Sequence, residues 1–326
     1  MLERRLAVAF AGALASASLT AGLVAAENFP TRPVTIIVAT SPGGGTDIIS
    51  RIMAGQLSEQ LGQPFIVEDI PGAGSLTGTV AAAKARPDGY TLQTGLNASM
   101  AVNPSLFANL PYDPVRDFTP VGMLAEFPFA VVVSNNFPAH SIKELIALAK
   151  ARPGEINYAS AGNGTGQHLS TELFKLMTGI NIAHVPYRGA APAYSDVMSG
   201  QVPVFFDNLA SAMGQIKGGT VRALAVTGRQ RSPLLPDVPT VAEAGVPGYE
   251  YYVWFGLWAP KNTPQSIVEK LHAEVEKALA DPAVKERILA DAGEPMDMPL
   301  ADIDPFLKSE IAKWADVVKR SGIELQ

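Results

Sequence analysis

Thr40-Ser41-Pro42-Gly43-Gly44-Gly45-Thr46-Asp47-Ile48-Ile49-Ser50-Arg51 joins an apolar run to a helical repeat through three successive glycines, and the fold is read outward from it. Before it, Val34-Thr35-Ile36-Ile37-Val38-Ala39 is short, apolar and rich in β-branched residues, the pattern of a buried parallel strand. After it, Ile48, Ile49, Ile52, Met53 and Leu57 recur at helical spacing, which predicts a helix from near Asp47, capped by Thr46 or Asp47. The glycines remove the β-carbons that would keep a ligand off the backbone, and free N–H groups at a helix start favour an anion. A Walker-type phosphate loop needs Gly-Lys-Ser/Thr here, whereas the chain has Thr46, Asp47 and Ile48. The expected guest is a carboxylate.

The same unit recurs along the chain. Phe65-Ile66-Val67-Glu68 is a second strand leading into Pro71-Gly72-Ala73-Gly74-Ser75 and a helix from near Leu76. Thr77 stands where a dinucleotide fingerprint would carry its third glycine, so this turn is read as structural. Tyr90-Thr91-Leu92-Gln93-Thr94 is a third strand, and ligands of parallel sheets gather beyond strand ends, which nominates Asn97 and Ser99. Residues 121–124 and 130–133 read as two strands split by Phe127-Pro128, with a domain change near Ala125. Ile156-Asn157-Tyr158-Ala159, the loop Ser160-Ala161-Gly162-Asn163-Gly164-Thr165-Gly166 and a helix over 167–177 then repeat the opening pattern. Two such units imply two α/β domains, each presenting a helix N-terminus to a shared cleft. Asp207, after the strand Val204-Phe205-Phe206, is a candidate partner for a donor on the ligand, and Trp254, Phe255, Tyr158 and Phe206 are candidates for its apolar middle.

Composition narrows the function classes. Residues 1–26 read as an export signal, with Arg4 and Arg5 ahead of an Ala/Leu/Val/Gly run that ends at Val24-Ala25-Ala26. The chain has 326 residues and a formal charge of −6; losing Glu3, Arg4 and Arg5 with the signal makes it −7. Nucleic acid and anionic membranes are therefore poor partners, and a bound anion must be held by local geometry. The absence of cysteine removes disulfides and thiolate metal sites. His140, His168, His184 and His272 form no metal motif, and His168 with Glu172 supplies two ligands without a third. No Gly-x-Ser-x-Gly elbow activates Ser75 or Ser160, and no base is positioned for a reaction. The expectation is binding without catalysis and without a cofactor.

Phe29-Pro30-Thr31-Arg32-Pro33, the 42–47 loop, Leu61-Gly62-Gln63-Pro64, Pro71-Gly72-Ala73-Gly74, Pro87-Asp88-Gly89-Tyr90-Thr91-Leu92, Leu110-Pro111-Tyr112-Asp113-Pro114, His184-Val185-Pro186-Tyr187-Arg188-Gly189, Leu235-Pro236-Asp237-Val238-Pro239-Thr240 and Trp254-Phe255-Gly256 occur in that order. In these motifs the chain resembles the extracytoplasmic receptors of the tripartite tricarboxylate transporter family, or Bug proteins, over essentially all of its mature length. That resemblance implies an α/β, two-lobed periplasmic binding protein fold of type II-like form, with two mixed or parallel sheets flanked by helices around a central cleft. Residues 27–124 and 230–326 would form one lobe and 125–229 the other. It also implies a periplasmic monomer that passes a small organic acid to the membrane components of a transporter; a ligand sensor is the alternative. The expected site comprises Ser41, Gly44, Gly45, Thr46 and Asp47 in the first loop, Ser160, Gly162, Asn163, Gly164, Thr165 and His168 in the second, and Asn97, Ser99 and Asp207 at strand ends. The family commonly has an aromatic and a second proline before the first glycines, where this chain has Ala39, Thr40 and Ser41. The aromatic residues around the cleft favour an aromatic or mixed acid such as terephthalate.

Overall fold

The computed structural model describes residues 29–72 and 74–323; the expected export signal lies outside them. The first half alternates β1 (Val34–Val38), α1 (Gly45–Leu61), β2 (Phe65–Asp69), α2 (Leu76–Ala83) and β3 (Thr91–Leu96), followed by a π-helical turn (Ala98–Val102), α3 (Asn103–Leu106) and the long β4 (Phe118–Ser134). The second half runs α4 (Ile142–Ala151), β5 (Asn157–Ser160), α5 (Gly166–Thr178), β6 (Ala183–Pro186), α6 (Ala190–Ser199), β7 (Val204–Asn208), α7 (Leu209–Lys217) and β8 (Val221–Val226). The chain then returns through β9 (Tyr252–Pro260), α8 (Gln265–Ala280), α9 (Pro282–Ala290), the short β10 (Glu294–Pro295) and α10 (Leu300–Ser321).

β1 pairs in parallel with β2 and β3, and β5 with β6 and β7, as strands joined by helices must. The two parallel groups are bridged by antiparallel pairing of β9 with β3 and β4, and of β4 with β7 and β8. The expected pair of sheets is thus joined into one hydrogen-bonded path, β2-β1-β3-β9-β4-β7-β5-β6.

Where the sequence suggested two strands split by Phe127-Pro128, there is one, β4. Pro128 lies opposite Tyr252 at the end of the β9 register, and pairing with β7 begins at Phe129. The missing N–H falls where the strand changes partners, so the proline does not interrupt it. Thr227 ties this crossing: its buried Oγ1 accepts from the Phe129 N–H at 2.6 Å and donates to the Tyr251 carbonyl at 2.6 Å. α10 is held by buried Glu310, whose Oε2 accepts from the indole N–H groups of Trp254 (2.9 Å) and Trp314 (3.1 Å).

The strand-to-helix returns depend on close backbone approach. A β-carbon on Gly78, in α2, would lie 2.8 Å from Ala39 Cα and from the Ile70 carbonyl, and backbone atoms cannot swing aside. Gly78→Ala is expected to destabilise the protein by about 1–3 kcal/mol, read as a lower urea midpoint; an unchanged midpoint would show that this contact is not tight.

Candidate ligand-binding site

A cavity of about 690 Å³ opens over the crossing of β4 and β9. Phe127 and Phe129, two apart on β4, and Val253 and Phe255, two apart on β9, face it, since alternate residues of a strand share a face. Phe127 and Phe255 meet edge-to-face at 5.5 Å, with Leu106 and Phe107 adding an apolar side wall. Around this apolar base the lining comes largely from helix starts: Gly43, Gly44, Gly45 and Thr46 before and in α1; Gly74 and Ser75 before α2; Asn97 and Ala98 at the π-helical turn; Asn163, Gly164, Thr165, Gly166 and Gln167 at α5; Ala190 at α6; and Asn208, Ala210 and Ser211 at α7. No Lys, Arg or His lines the cavity among the described residues, while Asp207 and Asp291 do. The partial positive charge available to a guest is that of the first-turn N–H groups of the converging helices.

The two glycine loops are built alike. The first helix is capped by Gly44 and not by Thr46 or Asp47. Asp47 instead turns back, its Oδ2 accepting from the Gly43 N–H at 2.8 Å, while Oδ1 lies 2.6 Å from Arg51 Nε. Gly43 has φ +82°, a left-handed value that suits glycine. In the second loop Thr165 is the cap, and His168, at the helical position equivalent to Asp47, accepts from the Gly164 N–H at Nδ1, 3.1 Å away. Gly164 has φ +72°, and a β-carbon there would sit 2.7 Å from Leu106. Thr165 Oγ1 donates to the Gly162 carbonyl at 2.7 Å.

Of the expected site residues, Gly44, Gly45, Thr46, Asn97, Asn163, Gly164, Thr165 and Asp207 line one cavity. Ser41, Asp47, Ser99, Ser160, Gly162 and His168 do not. Asp47 and His168 are used inside their loops, as described. Ser99 is fully buried and bonds back to Leu96. Ser160 is fully buried, accepts from the Gly162 N–H at 3.1 Å and lies 2.6 Å from His184 Nε2. That Ser–His contact anchors a loop: the hydroxyl is sealed from the cavity, where a nucleophile would have to be exposed. Asn97 caps the π-helical turn through Oδ1 and donates to Tyr251 Oη at 3.3 Å. Asp207 is fully buried, accepts from Gln167 Nε2 at 3.0 Å and from the Ser211 hydroxyl, and burial raises its pKa against these hydrogen bonds.

Of the expected apolar liners only Phe255 faces the cavity; Trp254, Tyr158 and Phe206 are core residues. Asn208, which follows the same strand end as Asp207 and was expected to point into the cleft with it, also lines the cavity. The sequence reading missed Phe127, Phe129, Leu106, Phe107, Gln167 and Ser211. It also treated Gly74 and Ser75 as structural, although their strand, glycine turn and helix repeat the pattern of the other two loops. Beneath the second loop His168 and His184 stack at 4.0 Å, and Tyr158 stacks on His184 at 4.9 Å. Tyr158 Oη donates to Glu172 Oε1 at 2.6 Å, and Lys175 Nζ lies 2.7 Å from the same oxygen. His168 and Glu172 are 4.0 Å apart, and no group of three metal-ligating side chains is assembled among the described residues.

Comparison with known proteins identifies relatives of the whole fold. Residues 49–323 match the family described as "Tripartite tricarboxylate transporter family receptor". The chain is 39% identical to "Protein BugT" of Bordetella pertussis over 311 residues, 94% of this chain and 95% of that one. The structure of R. palustris Rpa4515 with adipate has a TM-score of 0.82 at 38% identity, covering 91% of this chain and 100% of that one. MatC from Rhodopseudomonas palustris with bound malate gives 0.76 at 34% identity, covering 89% and 100%. The α/β periplasmic binding protein fold expected from the sequence is the fold of these relatives.

The stacked histidines make stability depend on pH. Burial, with Lys175 nearby, pushes His168 down to about 4, and burial followed by the neighbouring His168 does the same to His184. Their neutral forms therefore contribute stability that is full above the ordinary pKa of about 6.5 and is lost as pH falls toward 4. Urea unfolding at pH 7, 5 and 4 is expected to show wild type losing about 2 kcal/mol more than His168→Asn over this range. Equal slopes for the two proteins would contradict this.

Proposed function

The chain belongs to the tripartite tricarboxylate transporter receptor family, and from that premise we propose that it is a periplasmic receptor that captures a small carboxylated metabolite and delivers it to the membrane components of such a transporter. The observation that carries the reading is one cavity into which several helix starts converge with no basic side chain among its lining. Charge-assisted hydrogen bonds to several amides can offset the desolvation of a carboxylate without an arginine. The phenylalanine base suits an acid with an apolar body, aliphatic or aromatic. The acids in two relatives' structures, adipate and malate, are of the carboxylate class.

In this proposal the lobes are residues 27–124 with 230–326, and 125–229, and they close on the ligand by bending where β4 and β9 cross. The ligand is held by amides of both glycine loops and by the Thr46 hydroxyl, the Thr165 hydroxyl proton being taken by the Gly162 carbonyl, and is released unchanged. The protein acts as an exported monomer, freed of its signal near Ala26, and needs no cofactor.

A thermal-shift screen of residues 27–326 against mono-, di- and tricarboxylates tests this. A ligand at about 100 times its Kd adds about 2.7 kcal/mol to the folded state, so at least one acid is expected to raise the melting temperature by several degrees. Gly45→Leu should abolish that shift with the fold intact, because a β-carbon there meets Phe255 only at 3.5 Å and the longer chain then fills the cavity. An undiminished shift in the variant would exclude the first loop from the site.

A further inference from the structure

One guanidinium stands where the chain crosses between the two groups of strands. Arg229 follows β8, in the second group, and holds Glu126 of β4 through Nη1 and Nη2, where β4 is still paired with β9. Its Nε lies 3.2 Å from Glu250, just ahead of β9, and its guanidinium rests over the Tyr252 ring at 4.7 Å. Opposite Glu126 in the register is Glu294 of β10. Two carboxylates thus stand side by side on one face of an antiparallel pair, an arrangement that is destabilising. Glu126 is buried, and the Glu294 side chain has no hydrogen bond or ion pair among the described residues.

The charges around this pair do not cancel it. Glu310 of α10 is taken by Lys313, Arg231 beside Glu294 is taken by Glu243, and Asp291 adds a negative charge to the same turn. Glu126, Glu250 and Glu294 are left with Arg229 alone. Burial raises the pKa of Glu126 against the pull of Arg229; burial also raises that of Glu294, and there Glu126 adds to the rise while Arg229 opposes it. A carboxyl raised in this way costs stability above its folded pKa, and the cost disappears as pH falls toward the ordinary value of about 4.3. Glu126 keeps its guanidinium, so the first proton goes to Glu294. The pair is also tied to the cavity. Phe127, beside Glu126 but on the other face of β4, is part of the cavity floor, and a β-carbon on Gly293, beside Glu294, would lie 2.6 Å from its ring. Seating β10 on β4 therefore seats this turn against the floor.

We propose that Glu126 and Glu294 form an acid-sensitive latch behind the cavity floor. With both charged, the pair pushes β10 from β4 and loosens the crossing. With a proton on Glu294, β10 seats, Arg229 binds Glu126 unopposed, and the two groups of strands are held in the arrangement seen here. Resting on the receptor reading, the consequence is ligand capture that strengthens as the surroundings acidify.

The chain has no cysteine, so Glu59→Cys on α1 and Ser195→Cys on α6, both exposed, place one spin label in each group of strands of residues 27–326. Without ligand, the label-to-label distance in this otherwise wild-type protein should be broadly distributed at pH 7.5 and narrow at pH 5. Adding Glu294→Gln, neutral throughout, should give the narrow distribution at both. An acid found in the thermal-shift screen should bind Glu294→Gln about threefold more tightly than wild type at pH 7.5, because more of the protein is already competent, and equally at pH 5. Protonation of the buried histidines or of the ligand acts on both proteins alike and drops out of the comparison. Distances or affinities that match between wild type and Glu294→Gln at pH 7.5 would overturn the latch. If melting curves show that Glu294→Gln does not fold, Glu294→Ala, which also removes the charge, replaces it. Should no acid bind wild type, the receptor reading fails, and the ligand-free distances still decide the latch.

Discussion

The first peptide N–H groups of a helix have no carbonyl to pair with inside it, and this requirement organises the site. In most folds such groups are met by capping side chains or by water. Here α1, α2, α5 and α6 start without a side-chain cap bond, and all four starts border the same cavity. On the receptor reading proposed above, such a pocket would draw in an anion although the chain as a whole is acidic, because several aligned amides at short range outweigh a distant, screened net charge. The preference is geometric, so a guest is selected by shape and by where its oxygens fall.

The strand crossing explains why the pocket lies where it does. β4 and β9 run antiparallel through the middle of the sheet and supply four apolar residues to one face, with parallel βα units on either side directing their helices back toward that face. Strand C-termini and helix N-termini therefore meet above the crossing, the usual location of ligands in open α/β sheets. Thr227 links β4 at Phe129 to Tyr251, the residue just before β9, beside this phenylalanine floor.

Much of this was legible in the sequence because the signals were local. Val34 to Ala39 followed by three glycines and an Ile-rich repeat specifies strand, turn and helix within one short window, and the second loop repeats it. What could not be read depends on contacts distant along the chain. Ser160 looked like a pocket residue until His184, from the neighbouring strand, drew its hydroxyl inward. Asp47 looked like a cap, but the capping position falls three residues earlier, at Gly44, and its carboxylate went to Gly43 and Arg51. Which of Phe127, Phe206, Trp254 and Phe255 would face a ligand depends on which side of the sheet each strand presents, and an apolar run carries no mark of that. Pro128 looked like a break because a proline's effect depends on whether a neighbour needs its N–H, which composition does not reveal.

The continuity of β4 also bears on assembly. Since a single segment is a central member of both groups of strands, neither half of the molecule can complete its own sheet in isolation. A fragment ending near residue 125 would keep the β9 partner's place but leave bare strand edges ready to recruit another chain. Folding of the two halves is therefore expected to be coupled through one shared spine, with a truncated chain exposing adhesive edges in place of a working half.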